Sequence, residues 1–160
     1  MKRTSRLAAL SLVVGTALTA APAQASVVGY GEGCTPGYWK QAQHMDSWEE
    51  SDPDTLLSAV FSASGGYGAG ERTLLESLAG GGGGGTEGAA TILARAAVAA
   101  WLNAENDGIS YPWRRDFEGM DGRQALRQAV NAAFASGDRG TMLELAAWLD
   151  ADNNAGCPLS

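Results

Sequence analysis

Four carboxylates crowd one short connection of the chain, at Glu49, Glu50, Asp52 and Asp54. Carboxylates this close together could share a calcium ion, or supply an acid and a base for hydrolysis of a glycosidic bond. The same residues are also typical of a solvated turn before a helix, because Asp52-Pro53-Asp54 would place acidic groups at a helix N-terminus. Calcium needs more oxygen ligands than a turn supplies, so the sequence favours the turn and predicts no metal site.

Nucleophilic catalysis has little support in the sequence. His44 is the only histidine, and no Gly-x-Ser-x-Gly elbow accompanies it, so a Ser–His–Asp or Cys–His hydrolase is not indicated. Six consecutive glycines, residues 80–85, lack the Lys-Ser or Lys-Thr of a phosphate-binding loop and predict a flexible linker between helices. The sequence therefore predicts no catalytic residue and no cofactor.

The aromatic residues offer a different chemistry. Tyr111 and Trp113 precede Arg114 and Arg115 in an irregular connection. Exposed rings can stack on sugars or anchor a protein partner. The rings could instead fill the core of an alanine-rich bundle, as we expect for Trp101, and both interpretations stay open for Trp113. The segment 111–115 is the predicted binding surface.

The first 25 residues have the order of a secretory signal peptide. Three basic residues precede an apolar stretch, 7–21, and Ala23-Gln24-Ala25 supplies the small residues that a signal peptidase reads. We expect cleavage after Ala25, which leaves residues 26–160 as a single domain. The predicted location is outside the cytoplasm, either periplasmic or extracellular.

The chain is acidic, with a formal net charge of −7 at pH 7. Without the basic residues of the predicted leader the net charge falls to about −10. Such a charge repels nucleic acid phosphates and anionic membrane surfaces, and it is compatible with cations, a basic partner or a neutral glycan. The predicted partner is an extracellular protein or a glycan, with no nucleic acid and no membrane span in residues 26–160.

Cys34 and Cys157 are the only cysteines, one near each end of the predicted mature chain. In an oxidising compartment an even pair favours a disulfide, whereas free thiols or an intermolecular bond are the alternatives. Two cysteines and one histidine without Cys-x-x-Cys spacing do not make a closed zinc site. The sequence predicts an internal Cys34–Cys157 bond.

Helical signals separated by Gly-rich breaks follow one another along the chain. Thr35 and Pro36 predict an N-cap and a first helical turn, and Asp52-Pro53-Asp54 predicts a second helix start. Segment 87–106, capped by Thr86, is apolar almost all round, which predicts a central buried helix. Further apolar faces at helical spacing lie in 71–79, 125–134 and 142–149. The predicted fold is all-α: a single compact, irregular bundle of about five or six helices stapled by one disulfide.

The run Gly33-Cys34-Thr35-Pro36-Gly37-Tyr38-Trp39-Lys40 resembles a motif of secreted bacterial and archaeal proteins whose mature region begins with Cys-Thr-Pro-Gly-Tyr-Trp-Lys. The end of the chain, 153–159, is similar to the Asn-Asn-x-Gly-Cys-Pro-Leu ending of the same group. Many of those proteins continue with Asn-His after the lysine, whereas Gln41-Ala42 follows here. The family has no established activity, so the resemblance implies secretion and pairing of the two cysteines, and it implies no catalytic residue.

Two functions are compatible with these features. The favoured hypothesis is a non-enzymatic secreted module, structural or adhesive, that binds through residues 111–115. The alternative is a small secreted hydrolase of glycan or cell wall that uses paired carboxylates such as Glu49 and Asp52. A cleft with two carboxyl groups roughly 5–10 Å apart would favour the hydrolase. A rigid aromatic patch without such a cleft would favour the binding module.

Overall fold

The computed structural model describes residues 31–114 and 122–160. Six α-helices run through these residues: α1 Pro36–Trp39, α2 Leu57–Val60, α3 Leu74–Leu78, α4 Gly85–Glu105, α5 Gly122–Ala135 and α6 Arg139–Asn153. Two 3-10 helices, Ala42–Ser47 and Ser62–Tyr67, connect the first of them. In the part of the chain described, only two isolated β-bridges occur. The all-α prediction is confirmed, and the predicted leader, 1–25, lies outside the described residues.

Helix α4 is the centre of the bundle. It packs most extensively against α6, and also against α1, α3 and α5. Almost every residue from Gly88 to Glu105 is buried, which confirms the prediction of a central helix. Its many alanines have short side chains, so the neighbouring helices approach closely.

The starts of two short helices follow local rules. Thr35 caps α1, because its hydroxyl accepts a hydrogen bond from the Tyr38 amide at 3.2 Å, and Pro36 takes the first helical position as predicted. Thr73 and Glu76 form a capping box at α3, in which each side chain accepts from the backbone amide of the other residue. Both short helices therefore have satisfied N-termini.

The predicted helix start at Asp52-Pro53-Asp54 is wrong. Asp52 instead closes a turn, since its Oδ1 accepts from the Asp54 amide at 2.8 Å. The backbone of residues 55–57 then pairs with that of residues 72–74, through an isolated bridge between Leu56 and Thr73. The backbone amides that a helix would use are engaged in this pairing, so α2 begins only at Leu57.

Two glycines of the run before α4 lie close to that helix, whereas the flexible linker stays a prediction. A Cβ at Gly80 would lie 3.0 Å from the Thr91 side chain, and one at Gly82 would lie 3.3 Å from Ile92. Arg139 of α6 donates to the backbone carbonyls of Gly83 and Gly85. Gly85 has a φ of +67°, a conformation that favours glycine. Gly80 and Gly82 therefore lie against the first turns of α4, and this helix begins at Gly85, just before Thr86.

A disulfide joins Cys34 to Cys157 across 123 residues, with the two Cα atoms 4.4 Å apart, as predicted. The Gly33 amide donates to the Gly156 carbonyl at 2.9 Å beside it. A side chain at Gly33 would overlap the Asp152 backbone, so the close approach of the two segments requires glycine there. Within 31–114 and 122–160, no helix combines the length and apolar character needed to cross a membrane.

Candidate functional site

Asn103 of α4 lies at the centre of a buried hydrogen-bond network. Its Oδ1 accepts from the Cys34 amide at 2.8 Å and from the Trp39 indole Nε1 at 3.1 Å. Its Nδ2 donates to the Cys34 carbonyl and to Asn153 Oδ1, both at 2.9 Å. All four hydrogen-bonding positions of the amide are used. Cys34 and Trp39 of the N-terminal motif therefore have a structural role, because this asparagine ties both to the central helix.

Tyr111 belongs to the same network and is not part of an exposed surface. Its hydroxyl donates to Asn153 Oδ1 at 2.8 Å, and only 1% of the residue is exposed. Burial raises the pKa of this phenol well above its usual value, and the nearby charge of Asp152 raises that pKa further. The prediction of Tyr111 as a surface residue is wrong, because a hydrogen-bonded phenol fills the core here. Arg115 lies outside the described residues.

Trp113 is hydrogen-bonded to Asp152 of α6, and Trp148 lies one turn before Asp152 on the same helix; we call these three residues the aromatic patch. The Trp113 Nε1 donates to Asp152 Oδ2 at 3.3 Å, and its ring is half-buried. Trp148 is 50% exposed and precedes Asp152 by one helical turn. Partial burial raises the pKa of Asp152, and the Trp113 hydrogen bond opposes that rise. Arg114 follows Trp113 and is half-buried.

Sequence reasoning assigned Trp148 to the apolar face of the last helix and so missed it as a surface residue. Met142, Ala146 and Leu149 form the buried face of α6. Trp148 lies off that face, next to the exposed Ala147. Helical periodicity could have shown this, because positions 142, 146 and 149 share one face of the helix and position 148 does not.

The four clustered carboxylates do not converge on a common point. Glu49 Oε2 accepts from the Asp107 amide at 3.2 Å, and Asp52 closes its own turn with the Asp54 amide. Glu50 pairs with Arg123 at 2.6 Å. No group of three or more His, Cys, Asp or Glu side chains that could hold a metal ion occurs in the described ranges. In this structure Asp52 is the acceptor of a turn, and Glu49 is an acceptor beyond the end of α4.

Glu50 instead lies in an open cleft of about 560 Å³ between α4 and α5. We call it the α5 cleft, and its lining is Glu50, Trp101, Glu105, Arg123, Gln124, Arg127, Gln128 and Asn131. Arg123 reaches Glu50 at 2.6 Å and Glu105 at 3.8 Å through the same nitrogen, Nη1, so two carboxylates share one guanidinium. The sequence alone does not predict this cleft.

Glu105 is the buried acid of the cleft, with 5% of its surface exposed. Burial raises its pKa above the usual 4.5, while a hydrogen bond from Ser51 and the charge of Arg123 oppose that rise. The signal for this residue was present in the sequence: Asn103 and Glu105 are polar residues near the end of an otherwise apolar helix. A polar side chain on a helix buried all round must find a partner, which marks both positions.

His44 lies apart from both features, at the rim of a groove of about 410 Å³ beside the disulfide. Its ring stacks on Tyr38, with 3.9 Å between centroids and 20° between planes. Tyr38 in turn hydrogen-bonds Ser47 at 3.0 Å. Both cysteines are in the disulfide, so no thiol is placed for His44 to activate.

Comparison with known proteins adds no relative. No family model, curated protein or solved structure matches this chain. The geometry of the aromatic patch and of the α5 cleft therefore carries the functional interpretation.

Proposed function

We propose that the protein is a secreted, non-enzymatic module that binds glycan outside the cytoplasm through the aromatic patch. The observation that supports this proposal is a half-buried indole, Trp113, hydrogen-bonded to Asp152, with the exposed indole of Trp148 one helical turn before that carboxylate. The Cys34–Cys157 disulfide is compatible with an extracellular protein, because such bonds persist in oxidising compartments. The resemblance of the chain ends to a family of secreted proteins points the same way.

The chemistry of the patch suits a sugar. An indole offers a broad apolar face to the C–H groups of a pyranose ring, together with a polar N–H at its edge. Asp152 already accepts from Trp113 through Oδ2, and Oδ1 has no protein donor among the described residues. A sugar hydroxyl can donate to that oxygen. The bond from Trp113 to Asp152 also fixes the ring before a ligand arrives, which lowers the entropy cost of binding.

Charge favours a neutral glycan over an anionic polymer at this surface. The chain carries −7 overall, and the carboxylate of the patch is itself an anion. A polyanion would be repelled on approach, whereas a neutral sugar chain would not. The proposal therefore names neutral polysaccharides as the ligand class.

Binding to insoluble cellulose and chitin and to soluble mannan tests the proposal, with the oxidised, exported protein. We expect saturable binding to at least one of them, weakened about tenfold by Trp148→Ala, as for an exposed aromatic anchor. Leu56→Ala is the matched control, because Leu56 is 47% exposed and lies outside the patch. Binding to none of the three, or an equal loss in the Leu56 variant, would contradict the proposal.

Release of reducing ends from the same polysaccharides tests the alternative hydrolase. One observation supports this alternative: Glu50 and Glu105 both pair with Arg123 in a cleft. We expect no release from a binding module. Release that disappears in both Glu50→Gln and Glu105→Gln would favour the hydrolase instead.

A further inference from the structure

Two arginines of α5 cover the same tryptophan, but they differ in their partners. Arg123 lies 5.6 Å from the Trp101 ring centroid and is neutralised by Glu50 and Glu105. Arg127 lies 4.8 Å from the same centroid, and no carboxylate of the described residues pairs with it. Among the exposed arginines of the described residues, Arg72, Arg127 and Arg139, only Arg127 lies over an aromatic ring.

The ring beneath Arg127 is held on several sides. Its Nε1 donates to Ser51 Oγ at 3.1 Å, and the Ser51 hydroxyl donates onward to Glu105 at 2.9 Å. Phe61 packs edge-to-face on Trp101, with centroids 5.9 Å apart. A guanidinium that rests on a fixed aromatic ring keeps its plane by cation–π attraction, and its N–H edge stays available for hydrogen bonds. Arg127 is therefore oriented before any ligand binds.

A second donor stands one helical turn further along α5. The Oδ1 of Asn131 accepts from the Ala63 amide at 3.0 Å, which fixes the orientation of this side-chain amide. The remaining hydrogen-bonding group of Asn131 is its Nδ2, with two donors. Because Arg127 and Asn131 are four residues apart, both side chains lie on one face of the helix. This wall of the cleft is thus rich in donors.

We propose that Arg127 and Asn131 bind the carboxylate of a sugar acid, a uronate residue, in the α5 cleft. A planar guanidinium with an open edge matches a carboxylate through two parallel hydrogen bonds. The site is separate from the aromatic patch and does not depend on it.

The lining favours a sugar acid over the carboxylate of a peptide. The one large aromatic side chain among the lining residues, Trp101, is 5% exposed and covered by the two arginines, so the described lining offers no apolar pocket for a peptide side chain. The side-chain amide of Gln128 can exchange hydrogen bonds with sugar hydroxyls. Glu50 at the other end of the cleft disfavours a second anionic group, so isolated uronate residues fit better than a polyuronate.

Calorimetric titration with methyl β-D-glucuronide, and with methyl β-D-glucoside as its neutral counterpart, tests the proposal. We expect the glucuronide to bind at least about tenfold more tightly, with an affinity that falls as salt rises. Arg127→Gln should abolish this preference. Arg127→Lys should retain only part of it, because an ammonium keeps the charge and loses the planar fork. Arg72→Gln, at another exposed arginine, is the matched control and should bind as the wild type does.

Three results would overturn the proposal: equal affinity for the glucoside, a preference retained in Arg127→Gln, or tighter binding of N-acetyl-alanine, which carries a peptide-type carboxylate. Thermal melts of each variant show whether a loss of binding reflects unfolding. Trp148→Ala should leave glucuronide binding unchanged, so this site and the proposed glycan surface succeed or fail separately.

Discussion

Two buried polar clusters on α4 differ in how completely their hydrogen bonds are satisfied. Asn103 uses all four positions of its amide, within a network that joins the N-terminal motif, α4, Tyr111 and α6. In the α5 cleft, Glu105 Oε2 and Arg123 Nε are buried without a hydrogen-bond partner among the described residues. A fully paired network stabilises a unique packing, whereas a partly paired one costs free energy. The first cluster has the features of a structural network, and the second has those of a binding site.

The two clusters are only two residues apart in sequence. Positions i and i+2 point to different sides of a helix, so Asn103 meets Asn153 of α6 while Glu105 meets Arg123 of α5. One central helix therefore carries a structural face and a face that borders the α5 cleft. Changes on the first face should cost much stability, and changes on the second face should cost little or even increase it.

The largest effect is expected from the disulfide, which anchors the Asn103 network at Cys34. Replacing both cysteines by serine should lower the free energy of unfolding by about 4 kcal/mol, because the closed loop is long and its opening frees the unfolded chain. Chemical denaturation of oxidised wild type and of the double variant measures the difference. A loss below about 1 kcal/mol would show that the network holds the two ends without the covalent bond.

Asn103→Ala should come next, with a loss of about 3 kcal/mol, since it leaves several buried donors and acceptors unpaired. Asn154→Ala is the control, because Asn154 is exposed and its side chain, within the part of the chain described, donates only to the Asp150 carbonyl. That variant should lie within about 0.5 kcal/mol of the wild type. Equal losses in the two urea titrations would remove the structural character assigned to the network.

Glu105→Gln should act in the opposite direction and stabilise the protein at neutral pH. The folded pKa of Glu105 is raised above 4.5 by burial, so the fold prefers the protonated form. Its contribution to stability is complete below pH 4.5 and is lost as pH rises through the folded pKa. Arg123 keeps Glu50 as a partner when the Glu105 charge is removed.

The stability difference between Glu105→Gln and wild type should therefore grow as pH rises from 4.5, and melts at several pH values measure it. Asp152 has a raised pKa in both proteins, so its effect cancels in the difference. A destabilisation as large as that of Asn103→Ala would contradict this prediction, because the cluster in the cleft would then have a structural role as well.

The smallest effects are expected away from both clusters, in the glycine run. Gly85→Ala should cost about 1 kcal/mol, because alanine resists the positive φ at this position. Gly81→Ala should change the free energy of unfolding by less than about 0.5 kcal/mol, since a Cβ there meets no neighbouring atom within 4 Å. Guanidinium titrations of the two variants compare a position with a positive φ against one without it. Equal values would mean that the run is the plain linker that the sequence predicts.

Local signals in the sequence predicted the helices, and tertiary contacts decided where prediction failed. Thr35-Pro36 starts α1 as expected because capping involves only neighbouring residues. Asp52-Pro53-Asp54 carries a similar signal, yet the pairing of Leu56 with Thr73 delays the helix, and this partner is far along the chain. The residues around Tyr111 in the sequence are typical of a surface loop. Its burial depends on Asn153, which lies on α6 and accepts its hydrogen bond.

The sites were harder to predict than the fold, for the same reason. Of the predicted surface at residues 111–115, the aromatic patch keeps Trp113. The more exposed ring of the patch, Trp148, comes from α6, far along the chain. Glu105 and Arg123 meet only after α4 and α5 have packed. Spacing within one element predicts which residues share a face, but it does not predict which face of another element comes opposite.

The disulfide also determines how the molecule would respond to mechanical load. Cys34 and Cys157 lie side by side, and Gly33 is hydrogen-bonded to Gly156 next to them. Tension applied between residues 31 and 160 would run through the sulfur–sulfur bond and a few flanking residues. The intervening helices would carry none of that force, so stretching in an optical trap should extend the oxidised protein by only a few residues. Adding a reductant would expose the whole bundle to the pull.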